Sequence, residues 1–312
     1  RRFHQPLQHP SHKCNTMQQA MASAERVFRL LDERATVPDD GSRRFPARAR
    51  GAGVTVEFDD VWFAYDAADA TAAGREPAWV LRGVSFVVRP GETLALVGHT
   101  GAGKTTVVSL LLRFYDPQRG TIRVDGMDVR SVSLDELRSC LAYVQQDIFL
   151  FAGDVASNIR LAMPLSADDV ARAAARVGAD RVIRRLPDGY RQQLGERGAS
   201  VSVGERQLLS FARAIAADPA LLVLDEATSA VDSELEADIQ RALGELMKGR
   251  TTIAIAHRLS TIVAATETLV LHHGEVRERG THGSLLAAGG LYERLYRLQA
   301  GELDHPGRGA AP

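Results

Sequence analysis

Residues 98–106 read Gly-His-Thr-Gly-Ala-Gly-Lys-Thr-Thr, a spacing suited to holding a chain of phosphates. Gly98, four intervening residues and then Gly103-Lys104-Thr105 fit the P-loop pattern. Gly98, Gly101 and Gly103, with Thr100 and Ala102 between them and Thr106 closing the stretch, let backbone N–H groups converge on phosphate oxygens with no Cβ in the way. A helix starting at Lys104 would point its positive end at the same oxygens. Lys104 is then expected to reach the β- and γ-phosphates of a nucleotide, and the Thr105 hydroxyl to ligate Mg²⁺.

A second group of chemically capable residues follows the apolar run Leu221-Leu-Val-Leu224, which ends in Asp225-Glu226. Two acids at the carboxyl end of a buried strand stand where open α/β sheets place their ligands. Asp225 is expected to hold Mg²⁺, directly or through water. Glu226, one residue on, is placed to polarise an attacking water as a general base. A nucleotide and Mg²⁺ are the ligands this pair of motifs implies.

These residues need strands and helices to position them. Thr93–Val97 reads as a buried strand feeding the P-loop, and Val107–Phe114 as the helix after it. Upstream, apolar residues at 17, 20, 21, 24, 27, 28 and 31 put one stripe on a helix over Met17–Leu31. A Pro-, Gly- and Arg-rich stretch, 37–53, reads as a linker. Short β-rich runs follow at Val54–Phe58, Val61–Tyr65 and Val80–Val88, broken by an Ala- and Asp-rich loop at 66–78. Beyond the P-loop come a strand at Thr121–Val124, a helix opened by Ser133-x-x-Glu136 and a strand at Leu141–Val144. Residues from about 147 to 217 carry helical signals, including Ser166-x-x-Asp169 ahead of Val170–Val177, and α/β patterning resumes over Leu221–Arg279. The fold class is α/β, with a helical insertion in the core.

Composition sets bounds. A chain of 312 residues, 45% hydrophobic and 25% charged, can bury a substantial core. Its net charge of −1 gives no support for a nucleic-acid partner. Cys14 and Cys140 fit no paired metal spacing and read as plain thiols. No apolar run approaches the roughly 18–20 residues that cross a bilayer. The chain begins Arg1-Arg2-Phe3 with no initiating Met, so it is expected to be a fragment of something longer.

Val201-Ser-Val-Gly-Glu-Arg-Gln207 and Phe211-Ala-Arg-Ala-Ile215, just upstream of Asp225-Glu226, resemble the signature motif of ABC transporter ATPases. Other parts of that family's pattern appear in order. Gln146 is similar to the Q-loop glutamine, Asp232 in Ser229-Ala-Val-Asp232 to the D-loop, His257 to the switch histidine, and Tyr65 to the aromatic that stacks on adenine. Leu194-Gly-Glu-Arg-Gly198 resembles the exporter-type X-loop, and Phe149–Val155 with Asn158-Ile159 the exporter segment that meets the coupling helices. The opening stretch resembles the cytosolic end of the last transmembrane helix of multidrug and lipid exporters.

The resemblance implies a P-loop NTPase of the ABC-ATPase fold: a RecA-like core, an N-terminal antiparallel β subdomain and a helical signature subdomain at about 147–217. It implies residues 1–36 as the end of the transmembrane domain, 37–53 as linker, 54–300 as the ATPase domain and 301–312 as a flexible tail. Two cassettes, in a homo- or heterodimer, would close head to tail on two ATP. Lys104, Thr105, Gln146, Asp225, Glu226 and His257 of one would face Ser202 and Gly204 of the other, with Mg²⁺ on Thr105, Gln146 and Asp225. The assembly would sit at the cytoplasmic face of the inner membrane, attached through the transmembrane domain, and drive export by ATP hydrolysis. A free-standing soluble ABC ATPase and an ATP-binding regulatory subunit with little turnover are the alternatives.

The sequence departs from the family pattern in places. Val201, Val203 and Glu205 replace the usual Leu, Gly and Gln of the signature, and Glu205 puts a negative charge near a polyphosphate. The 66–78 loop is longer than the family leads one to expect, which bears on the adenine contact of Tyr65.

Overall fold

The computed structural model describes residues 5–33, 37–47, 51–195, 200–225, 233–256 and 259–299. The chain divides into two units, Arg1–Pro38 and Asp39–Pro312. The first is the helix α1 (Gln5–Asp32), which starts well before the apolar stripe that signalled it. Met17, Met21, Phe28 and Leu31 of that stripe are all exposed. Among the described residues no helix is long and apolar enough to cross a membrane.

The second unit opens with an antiparallel sheet. β1 (Val56–Phe63) pairs with β2 (Leu81–Val88) on one side and with β4 (Arg119–Val124) on the other, and β5 (Met127–Asp128) extends β4. The expected runs 54–58 and 61–65 are thus one strand, irregular at Asp60, whose φ is 47° and whose N–H donates to Ser85 Oγ. The 66–78 loop contains a short helix, α2 (Ala67–Ala72). Asp66 organises this loop by accepting from Arg75 at 2.7 Å and from the Ala78 N–H at 3.0 Å.

The core sheet is built from β3 (Thr93–Val97), β6 (Leu141–Val144), β9 (Leu221–Asp225), β10 (Thr251–Ile255), β11 (Glu267–His272) and β12 (Glu275–Gly280). Their order is β12-β11-β3-β10-β9-β6, parallel throughout except for β12. These strands are near-continuous apolar runs because both faces are covered. Leu221 and Val223 of β9 pack with the P-loop helix α3 (Lys104–Leu111) and the antiparallel sheet, whereas Leu222 and Leu224 pack with the helical insertion. Thr251 joins the two sheets, its hydroxyl accepting from the Val54 N–H at 2.9 Å and donating to Val54 O.

The insertion contains the pair β7 (Gly153–Asp154) and β8 (Gln193–Leu194), with the helices α5 (Val155–Arg160), α6 (Ala167–Arg176), α7 (Ala179–Arg185) and α8 (Val203–Ala216). Ser166 and Asp169 complete the capping box expected ahead of α6. α9 (Ser233–Met247) and α10 (Leu259–Ala264) flank β10, and α11 (His282–Ala288) and α12 (Leu291–Gln299) close the chain.

Three local expectations are corrected. The helix after the P-loop starts at Lys104, as the phosphate-binding pattern requires, but ends at Leu111 rather than 114, because Arg113 adopts a φ of 51° to bury its guanidinium against Val132 O at 3.1 Å and Asp116. Ser133 caps α4 (Leu134–Ser139), but Glu136 does not return the bond; it accepts the Phe45 N–H at 3.1 Å. The same contact shows that residues 39–45, within the stretch read as a linker, are pinned to the body. Asp39 accepts the Leu134 N–H at 2.8 Å, and Arg43 donates its N–H to Ser131 O at 3.1 Å.

Candidate functional site

The register of the core sheet brings the expected residues to one edge. Ile255 lies opposite both Leu96 and Asp225, and Val144 opposite Leu224. The carboxyl ends of β3, β6, β9 and β10 therefore emerge side by side. From them leave the P-loop after Val97, Gln146 two residues past β6, and Asp225 as the last residue of β9.

The P-loop is clamped from below by the β11–β12 hairpin. A Cβ on Gly98 would lie 2.3 Å from Leu271 O, so only glycine permits the approach. Gly103 has a φ of 105° and serves as the N-cap of α3. Gly274 donates its N–H to Ala102 O at 3.2 Å. Lys104 folds back into the loop, its Nζ donating to Gly98 O at 2.6 Å and His99 O at 3.0 Å. Burial pushes the Lys104 pKa below the ordinary lysine value, against an opposing pull from the Asp225 charge. The Thr105 side chain is exposed, while Thr106 is buried and shares a hydrogen bond of 3.1 Å with the Tyr65 hydroxyl. Tyr65 is 55% exposed, and its ring meets Phe63 and Tyr115 edge-on at 4.8 and 5.2 Å. It flanks the P-loop with much of its aromatic surface open to solvent.

Asp225 is held by a residue the sequence reading missed. Tyr143 on β6 donates its hydroxyl to Asp225 Oδ2 at 3.2 Å. Burial, with the Asp225 charge adding to it, raises the Tyr143 pKa to about 12, so the phenol stays a donor across the working pH range. The only sequence signal was a polar tip inside the run Leu-Ala-Tyr-Val, whose period-2 alternation puts Tyr143 on the opposite face from Ala142. Gln146 is exposed and borders a narrow cleft with Asp225, Val203 and Gln207.

At the start of α8, Ser202 and Glu205 form a complete capping box. Ser202 Oγ accepts the Glu205 N–H at 3.3 Å, and Glu205 Oε2 accepts the Ser202 N–H at 2.8 Å. The Glu205 carboxylate thus turns back onto its own helix end. Ser202 is exposed and Gly204 buried, and among the described residues no hydrogen bond joins Ser202 or Glu205 to the P-loop. Glu226, Asp232 and His257 lie outside the described residues, as do residues 196–198 of the expected X-loop.

Beside Gln146 opens an apolar groove of about 620 Å³, lined by Tyr143, Phe149, Phe151, Leu161, Met163 and Arg213. Phe149 and Phe151 are half exposed. Arg213 stiffens this wall by donating to Asn158 O at 2.9 Å and Phe149 O at 3.0 Å, with its guanidinium 5.8 Å from the Phe151 ring centre.

Residues 81–229 match the family model described as ABC transporter. The chain is 45% identical over 298 residues to a fatty acid ABC transporter ATP-binding/permease protein of Mycobacterium bovis, covering 95% of this chain and 45% of that protein. It is 44% identical over 294 residues to an ATP-dependent lipid A-core flippase of Burkholderia thailandensis, covering 94% and 48% respectively. Among solved structures, a bacterial Atm1-family ABC exporter with ATP bound superposes with a TM-score of 0.78 at 38% identity, over 93% of this chain and 49% of that one. The chain spans about half the length of the curated relatives it matches.

Proposed function

This chain belongs to the ABC transporter family as an exporter-type nucleotide-binding domain, and from that premise we propose that it hydrolyses ATP as one of two cassettes that close head to tail around two nucleotides and so power export. The observation that carries this reading is the convergence of the P-loop, Gln146 and the Tyr143-held Asp225 at one sheet edge. Lys104 and the loop N–H groups bind the phosphates, and Tyr65 offers its exposed ring to the adenine. Thr105, Asp225 and Gln146 supply the hard oxygen donors that Mg²⁺ takes, and Asp225 keeps one carboxylate oxygen beyond the one Tyr143 engages. When bound, Mg²⁺ neutralises charge on the phosphates.

Glu226 takes the proton of the water that attacks the γ-phosphorus as the bond to ADP breaks, and His257 holds the γ-phosphoryl oxygens. Ser202 and Gly204 come from the second cassette, and Asp232 takes the D-loop role in communication between the two sites. ATP favours the closed dimer and hydrolysis lets it reopen. The groove at Phe149 and Phe151 is the docking place for a transmembrane domain on the same full-length protein, which would hold this domain at the cytoplasmic face of the membrane. Several relatives are named as ATP-binding/permease proteins, which supports that arrangement.

Glu226→Gln tests the composite site. In saturating Mg-ATP this variant is expected to lose turnover and to accumulate as a nucleotide-bound dimer by light scattering. A variant that stays monomeric, while the intact chain hydrolyses ATP, would overturn the head-to-tail reading.

A further inference from the structure

His99 in the P-loop and His272 and His273 at the β11–β12 hairpin are far apart in the chain yet meet in the fold. One imidazole nitrogen from each lies within 4.8 Å of the other two. His99 Nε2 stands 3.1 Å from His272 Nδ1. A tetrahedral zinc-class ion with Zn–N bonds of about 2.0–2.1 Å requires donor nitrogens about 3.3 Å apart, so small side-chain rotations would close this cluster on such an ion.

The tautomer of His99 points the same way. Its Nδ1 is 2.7 Å from Thr100 O, a pure acceptor, so Nδ1 carries the proton and the lone pair is on Nε2, facing His272. A ligating histidine is normally oriented by its other nitrogen donating to a carbonyl in this manner.

The backbone beneath the three rings is already fixed. His273 and Gly274 form the two-residue turn of the hairpin with φ values of 49° and 80°. Gly274 is held on both sides: its N–H donates to Ala102 O at 3.2 Å and its carbonyl accepts from the Arg82 N–H at 2.8 Å. Arg277, the neighbouring cation on β12, is paired with Glu275 at 2.9 Å. His273 is exposed, which leaves a path for an ion to enter and a solvent-facing fourth position.

We propose that His99, His272 and His273 form a three-imidazole binding site for a first-row divalent transition-metal ion of the zinc class, separate from the Mg²⁺ position on Thr105, Gln146 and Asp225. Three neutral nitrogen donors select such an ion over Mg²⁺, which takes oxygen. A bound ion would cross-link the first turn of the P-loop to the hairpin tip.

The test uses the full chain without nucleotide. Zn²⁺ is titrated by calorimetry, and Co²⁺ by visible absorption, which reports tetrahedral coordination. One ion per chain with a tetrahedral Co²⁺ spectrum is expected. His273→Asn is the key variant, because Asn tolerates the left-handed backbone at that position while removing the imidazole. It should weaken Zn²⁺ binding at least about tenfold with an unchanged melting curve in chelator, and His272→Ala should do the same. An absence of saturable binding, or an affinity unaltered in a folded His273→Asn chain, overturns the assignment.

Discussion

The Tyr143 hydroxyl on β6 donates to Asp225 Oδ2 on the neighbouring strand β9 at 3.2 Å, so the carboxylate at the centre of the site is restrained from the sheet itself. This bond exists only while the phenol is protonated. The folded-state pKa, about 12, lies above the ordinary tyrosine value of 10.0. The stabilisation from protonated Tyr143 is therefore fully present below pH 10.0 and disappears as pH rises towards about 12. Thermal melts of the intact chain and of Tyr143→Phe across that window should show a gap in midpoint that narrows with rising pH. A gap that stays constant would mean that the hydrogen bond carries no titrating stability.

Glu205 combines two effects that substitution can separate. Its carboxylate caps Ser202, and its charge sits at the helix end proposed to meet a nucleotide on the other cassette. Glu205→Gln keeps an acceptor for the Ser202 N–H and removes the charge, whereas Glu205→Ala removes both. The Gln variant should retain stability to within about 0.5 kcal/mol and dimerise at several-fold lower ATP, since like-charge repulsion at the phosphates is relieved. The Ala variant should lose about 1 kcal/mol. Urea denaturation and ATP-dependent light scattering read the two quantities, and equal ATP requirements in the Gln variant and the parent would remove the electrostatic argument.

Gly98 tests how tightly the P-loop is seated. In Gly98→Ala the new methyl would meet Leu271 O at 2.3 Å, so either the loop or the hairpin strand must move. A cost of about 1–3 kcal/mol in unfolding free energy is expected. Nucleotide affinity should fall in parallel, because Lys104 is anchored on the carbonyls of Gly98 and His99. Fluorescent-nucleotide binding alongside denaturation checks both; full affinity in the variant would mean that the loop is looser than this contact implies.

What could be read from the sequence was what local pattern encodes. The strands Thr93–Val97 and Leu141–Val144 stand where the apolar runs placed them, and the capping box at Ser166 is formed as spaced. The failures were non-local. Glu136 breaks its expected box for the N–H of Phe45, 91 residues away, and that bond turns part of an apparent linker into packed structure. Tyr143 could not be assigned to Asp225 without the register of β6 on β9, and the histidine cluster depends on a contact 173 residues apart. The hydrogen bond between the Tyr65 hydroxyl and Thr106, 41 residues apart, is likewise set by the fold, and it leaves the ring exposed beside the loop.

Leu222 and Leu224 of β9 face the core that includes Phe211 of α8, while Val223 between them faces the core that includes Val107 of α3. Neighbouring letters of this one strand therefore belong to different mutational neighbourhoods. Substitutions at 222 and 224 compete for the same compensating adjustment, whereas those at 222 and 223 disturb different packing partners and are coupled only through the shared backbone. The sheet is the boundary across which the two sides of the domain can drift in sequence with little reference to each other.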